Sequence, residues 1–330
     1  MTTTSTNPRI LRDEALHAAI TEFCRPRAAD TDACRASLRE GIAHLARIGA
    51  TSSGVQGHDS AESFERLCEV VATVAMDDMS QAFSLWAHRM AVEYLEQSDL
   101  ACPLRADTLS RLVAGEILGS TSFASATANY LAGTPLPLTY REAGGGAGIV
   151  VNGRIPWASN LEAPFLSVAA AAHEDDPERR IVFAYTDQTP GVSLPPYPQV
   201  LALQSTNSTS PIFQAAEVPA EHILTANFTD FVGRVLATFL LIQSSFCWGL
   251  ARRSLSAAEQ QLHGQRAILA DDLAHLMARA VAAEGTLREL ALTPDRSSVP
   301  PRPLLELRLE WGRIAVEAVA LELMVTGGQG

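Results

Sequence analysis

Apolar positions along this 330-residue chain repeat with two different periods, and the change of period divides it into thirds. From Pro8 to Leu118 the spacing is helical: Leu16, Ile20, Phe23 and Cys24 share one face, and Leu38, Ile42, Leu45 and Ile48 another, stopped by Gly49. Asp59-Ser60-Ala61-Glu62 predicts a helix start ahead of Phe64, Leu67, Val71 and Val74. A helix over 79–97 carries Trp86 and Met90, and a short one over 107–113 ends before Gly115. From Phe228 onward helices return. Phe231, Val235, Phe239, Ile242, Phe246 and Leu250 line a long first one, a second covers 269–292, and a proline-rich break over 293–303 leads into a third. That last helix places Leu307, Trp311, Ile314, Ala318, Leu321 and Val325 at steps of four and three, an inner stripe for a bundle and a possible oligomer seam.

Between these helical parts, short β-rich runs are broken by Gly, Pro and charge. Asn152-Gly153 between apolar runs predicts a hairpin joining 149–151 to 154–158. Residues 165–171 pair with 181–185 across the charged loop 173–180, and 200–203 and 211–218 complete a small antiparallel barrel or sandwich. Antiparallel hairpins need no crossover helices, which disfavours a Rossmann sheet. The fold class is α+β, mainly α: an N-terminal all-helical domain (1–118), a central β domain (119–225) and a C-terminal helical bundle (226–330), expected to be incomplete.

Composition narrows the function. An apolar content of 47% and a charged content of 19% are those of a folded globular chain, and a net charge of -12 without a basic stripe argues against nucleic-acid binding. Cys24, Cys34, Cys68, Cys102 and Cys247 lack C-x-x-C spacing and read as reduced packing residues. The polar start Met1 to Pro8 lacks a signal-peptide core, and no run reads as a bilayer span, so a soluble cytoplasmic protein is expected.

The stretch from Val150 to Asn160 carries the candidate chemistry. Period two puts Trp157 and Ser159 on one strand face, an indole to lie against a planar ring with a hydroxyl nearby. The strand alone suits a core Trp and an edge Ser at least as well. Other candidates read as structure. Gly144 to Gly148 precedes a strand and offers no helix N-terminus to a phosphate; His173-Glu174-Asp175-Asp176 is a solvated turn, and no metal site is expected. Asp271-Asp272 suits a helix start, His88 and Arg89 default to solvent, and no G-x-S-x-G nucleophile elbow occurs.

In its order of helical, β and helical parts, the chain resembles the acyl-CoA dehydrogenase family. Gly115-Glu116-Ile117-Leu118-Gly119 resembles the family's Gly-Glu run. Val151-Asn152-Gly153-Arg154-Ile155-Pro156-Trp157-Ala158-Ser159-Asn160 is similar to its N-G-x-K-x-W-[IV]-[TS]-N strand. Residues 203–219, with Thr206, Ser208, Phe213 and Val218-Pro219, resemble its last β strand, and Gly327-Gly328-Gln329-Gly330 its Gly-Gly-x-Gly. The resemblance implies FAD as cofactor, an acyl-CoA or other acyl thioester as substrate, α,β-dehydrogenation, a flavoprotein or oxygen as electron acceptor, and a homo- or hetero-oligomer, dimer or tetramer. It implies that Trp157 packs on the flavin, Ser159 bonds near its N5 and O4 edge, Ser125 and Thr127 lie on the first flavin-contacting strand, and Gly327 and Gly328 approach an adjoining chain's cofactor.

The departures concern the chemistry. A positioned base must take the α-proton, and the catalytic Glu that most members carry beyond the glycines is not found before Gly330. Members that place it on the first bundle helix, beside an Arg, are matched here by Phe239 and Leu240. The first flavin strand has no acid, the phosphate-contacting Arg segment contracts to His263-Gly264-Gln265-Arg266, and Met324 stands where a Gln often precedes the glycines. A flavin monooxygenase of the same fold, or a non-catalytic partner subunit of a heteromeric dehydrogenase, are the alternatives these departures open.

Overall fold

Side-chain caps fix where the first helices begin. Asp13 accepts from the Leu16 N–H, Ser37 from Glu40, Ser60 from Ser63 and Asp78 from Gln81, starting α1 (Glu14–Asp32), α2 (Leu38–Arg47), α3 (Ala61–Asp77) and α4 (Met79–Glu96). Ser60 confirms the predicted start, while Asp59 lies outside the residues described by this computed structural model, which are 10–55, 60–99 and 103–327. α5 (Pro103–Val113) completes the first group, and Gly49 and Gly115 both take the left-handed conformation that ends a helix. Cys24 and Cys68 are packing residues as expected, but Cys34 is exposed at positive φ, and Cys102 lies outside the described residues.

The centre is a curled sheet in the order β6-β7-β3-β2-β4-β5-β8, with β1 against β4. Its strands are β1 (Leu118–Thr121), β2 (Leu138–Glu142), β3 (Gly148–Arg154), β4 (Phe165–His173), β5 (Arg180–Thr186), β6 (Val192–Ser193), β7 (Ile212–Pro219) and β8 (Ile223–Thr225). The β4–β5 pairing is the predicted hairpin. β1 and β2 both run parallel to β4, β1 along its first four residues and β2 at its end. Three local expectations are corrected. The run 200–203 forms no strand but a turn, whose exposed Leu201 finds no sheet to cover it. Asn152-Gly153 is not a hairpin turn, for β3 runs straight through it between β2 and β7. The dipeptide makes a bulge, where the register with β7 shifts, Gly153 takes φ 127°, and Asn152 Oδ1 accepts the Ala215 N–H at 2.8 Å.

The third correction is a helix, α6 (Ala124–Ala132), inside the region read as strands. Ser125 and Thr127 therefore lie on α6 and not on a flavin-contacting strand. Ser125 is half-buried, and the Thr127 hydroxyl donates to the Phe123 carbonyl of its own helical turn. An Ala-rich run favours helix once the paired strand has ended at Thr121.

The last part contains α7 (Phe228–Gln261), α8 (Ala270–Ala291) and α9 (Pro301–Thr326). Their predicted inner faces are buried, Leu250 only partly, and Asp271 and Asp272 lie in the first turn of α8. α7 packs on α3 and α4 and also on α8 and α9. Contrary to the sequence reading, α7 is long and apolar enough to cross a membrane, but 83% of its apolar window is buried inside the protein, which makes it the core helix.

His88 and Arg89 do not face solvent. Both are fully buried, because α4 is enclosed by α5, β1 and α7. His88 Nδ1 accepts the Gly119 N–H and Nε2 donates to the Leu112 carbonyl, each at 2.9 Å, which joins α4, α5 and β1. Gly119 is required there: a Cβ would lie 2.7 Å from the His88 carbonyl oxygen and 2.8 Å from Ala91 Cβ. Gly119→Ala is expected to lower stability by roughly 1–3 kcal/mol; an unchanged urea midpoint would show that the strand can slide away.

Candidate functional site

Beyond the bulge the chain leaves β3 and runs along the border between sheet and helices. The Ile155 N–H donates to Pro211, Ala158 bridges Thr209, Ser159 bridges Thr121, and the Asn160 N–H donates to Thr206. Asn160 Nδ2 donates to the carbonyls of Ser84 on α4 and Gly119 on β1, so this border is held from both sides. Trp157 is 47% exposed, a large apolar side chain left open on an otherwise anchored segment.

Ser159 is buried in a chain of hydroxyls. Its Oγ lies 2.6 Å from Ser208 Oγ, which lies 2.8 Å from Thr206 Oγ1, whose proton goes to the Leu203 carbonyl. A carbonyl only accepts, so the direction is fixed: Ser159 donates to Ser208 and Ser208 to Thr206. Ser120 Oγ donates to the Ser159 carbonyl at 2.5 Å, and Ser122 Oγ lies 2.6 Å from Tyr185 OH and 3.0 Å from Ser167 Oγ.

The structure joins Ser159 to Ser120 of β1 and to the hydroxyls of residues 206–208, leaves the Trp157 side chain half exposed two residues away, and puts Ser125 and Thr127 on α6. Ser120, Thr121 and Ser122 carry hydroxyls at this border that the sequence analysis does not single out. Their run of three small hydroxyl residues after Gly119 was the available signal. Gly327 ends α9 with φ 64° and is exposed; Gly328 lies outside the described residues.

Phe239 and Leu240 are buried in α7. The Phe239 ring meets Trp86 edge-on at 5.3 Å, and Phe246 and Phe83 extend the aromatic cluster between α7 and α4. The carboxylate on this seam is Glu93, deep on α4, whose Oε1 accepts from Thr238 Oγ1 at 3.2 Å and Gln97 Nε2 at 3.4 Å. Burial holds its carboxyl above the usual range, against the opposing pull of Arg296 and Arg89. His173 closes β4 and bonds Glu142 at 3.0 Å; among the described residues no group of three or more His, Cys, Asp or Glu is placed to hold a metal ion.

No family model and no curated protein matches the chain. Solved structures do. Butyryl-CoA dehydrogenase from Megasphaera elsdenii superposes with a TM-score of 0.83 over 95% of this chain and 86% of that one, at 16% identity. A glutaryl-coenzyme A dehydrogenase in its glutaryl-CoA complex gives 0.85 over 96% and 84%, at 15% identity. FkbI, for biosynthesis of the methoxymalonyl extender unit of Fk520, gives 0.77 over 95% and 89%, at 20% identity. At these identities the match is one of fold: the chain has the acyl-CoA dehydrogenase fold.

Proposed function

We propose that this chain is a cytoplasmic FAD-binding oxidoreductase of the acyl-CoA dehydrogenase type, acting on an acyl thioester. The observation that carries this reading is the half-exposed Trp157, two residues from the buried Ser159–Ser208–Thr206 chain, on the border between the sheet and α4. A planar ring with an apolar face and a polar edge fits an indole flanked by anchored hydroxyls. Trp157 would cover the ring, Ser159 would turn its proton from Ser208 to the accepting N5 and O4 edge, and Gly327 and Gly328 would approach the cofactor of an adjoining copy in a homo- or hetero-oligomer. Bound flavin supplies hydride acceptance, with a flavoprotein or oxygen taking the electrons onward.

At the α7 positions where a base is expected, Phe239 and Leu240 can take no proton, and Glu93 is already engaged by Thr238 and Gln97. This favours a second reading on the same fold: a flavin-dependent monooxygenase, which needs no α-proton base, or a subunit that completes a partner's site. Flavin reduced by an acyl-CoA under anaerobic conditions supports dehydrogenation, whereas reduction only by an added flavin reductase supports oxygenation.

The flavin site is tested by cofactor content. Trp157→Ala is expected to weaken FAD binding about tenfold, equal to about 1.4 kcal/mol, and Ser159→Ala about threefold. Unchanged flavin content in both variants, read from the visible spectrum of the purified proteins, would overturn the placement of the cofactor.

A further inference from the structure

The seam between α4 and α7 contains hydrogen-bond donors that the fold leaves unmet. Arg89 is only 1% exposed, and its Nε and Nη1 have no hydrogen-bond partner. One turn earlier on the same face, Trp86 is buried with its Nε1 also unpartnered. All three atoms are donors without acceptor capacity. Buried donors are almost always paired, so adjacent unmet ones mark a place where an acceptor belongs.

Their position links them to the flavin border. Phe83 meets Phe246 and Tyr94 meets Phe231, so α4 and α7 cross antiparallel, and Arg89, midway along α4, comes level with about residues 238–240 of α7. Trp86 touches Phe239 directly. Asn160, three residues beyond Trp157, is bonded to the Ser84 carbonyl, two residues before Trp86. The α7 positions assigned to a base in some members thus lie level with Arg89 and, at Phe239, against the Trp86 ring. Glu93 and Glu96 act on Arg89 through space, but Glu93 is hydrogen-bonded to Thr238 and Gln97, and neither carboxylate caps Arg89 Nε or Nη1.

We infer that Arg89 and Trp86 form a receptor for a carboxylate on the substrate, so that the site takes a short dicarboxylyl thioester. The inference rests on the acyl-thioester reading above. A guanidinium presents parallel N–H groups that match the two oxygens of a carboxylate, and such charge-assisted bonds are the strong ones in an apolar seam. The aromatic cluster of Trp86, Phe239 and Phe246 makes the surroundings of these donors apolar, where such a bond counts most.

Calorimetric titration of the FAD-loaded protein with succinyl-CoA and butyryl-CoA, which share four acyl carbons, tests this. Succinyl-CoA is expected to bind at least about tenfold tighter. Arg89→Met should bring the two affinities within about twofold of each other, and Trp86→Phe, which keeps the ring but removes the N–H, should cut the preference about threefold. Equal affinities in the unmodified protein would overturn the receptor and leave the flavin and thioester reading standing. Failure of both thioesters to bind the flavin-loaded protein would overturn that reading and the receptor with it. If Arg89→Met does not fold, Trp86→Phe decides: a preference it leaves unchanged overturns the assignment.

Discussion

Arg288→Met is expected to lower the unfolding free energy by about 3 kcal/mol, the low end for removing one partner of a buried ion pair. Arg288 on α8 reaches across to α3, where its Nη1 donates to Glu65 at 2.8 Å and Glu69 at 2.5 Å, while its Nε donates to Glu284 at 3.1 Å. Both α3 carboxylates have side chains only 4% exposed. Removing the guanidinium leaves two charges in the interface between the first helical group and the bundle. Arg12 bonds the same two carboxylates from the exposed side, which holds the loss to the low end of the range. Packing contributes too, since the guanidinium lies 5.0 Å over the Trp248 ring.

Urea unfolding of the single variant and of Arg288→Met combined with Glu65→Gln and Glu69→Gln gives the result. The combined variant should recover part of the loss, because it removes the unpaired charges that the single variant creates. A loss below about 1 kcal/mol would mean that Arg12 and water satisfy the carboxylates unaided.

This network shows which part of the fold was illegible in the sequence. The helices and the β4–β5 hairpin could be read because apolar period and caps are local properties, as at Leu307, Trp311 and Ile314 or at Ser60. Glu65 and Arg288 are separated by 223 positions, and each looks like an ordinary surface charge on its own helix. His88 and Arg89 failed for the same reason: the elements that bury them, β1 and α7, come later in the chain. At the candidate site, the motif around Trp157 could be recognised, but the role of Asn152-Gly153 could not. The same dipeptide serves a hairpin and a bulge, and only the flanking β2 and β7 decide between them.

His88 should make the fold acid-sensitive well above the range where carboxylates titrate. Burial, reinforced by the neighbouring charge of Arg89, depresses its imidazole to about 3, although the bond to the Leu112 carbonyl pulls the other way. Geometry gives the same answer independently. Nδ1 must stay an acceptor for the Gly119 N–H, and a proton there would set two donors against each other. Unfolded, the ring takes its proton near 6.5, so between about pH 6.5 and 3 the unfolded chain binds one more proton than the folded one at this position. The stabilisation from a neutral His88 is complete above that window and is lost as pH falls through it, at about 1.4 kcal/mol per unit. Gln in its place does not titrate. The stability difference between the unmodified protein and His88→Gln should therefore shrink by about 3 kcal/mol from pH 7 to pH 4. Parallel stability curves across that range, or an NMR titration of the His88 ring centred near its ordinary value, would show that the ring accepts its proton without breaking β1 from α4.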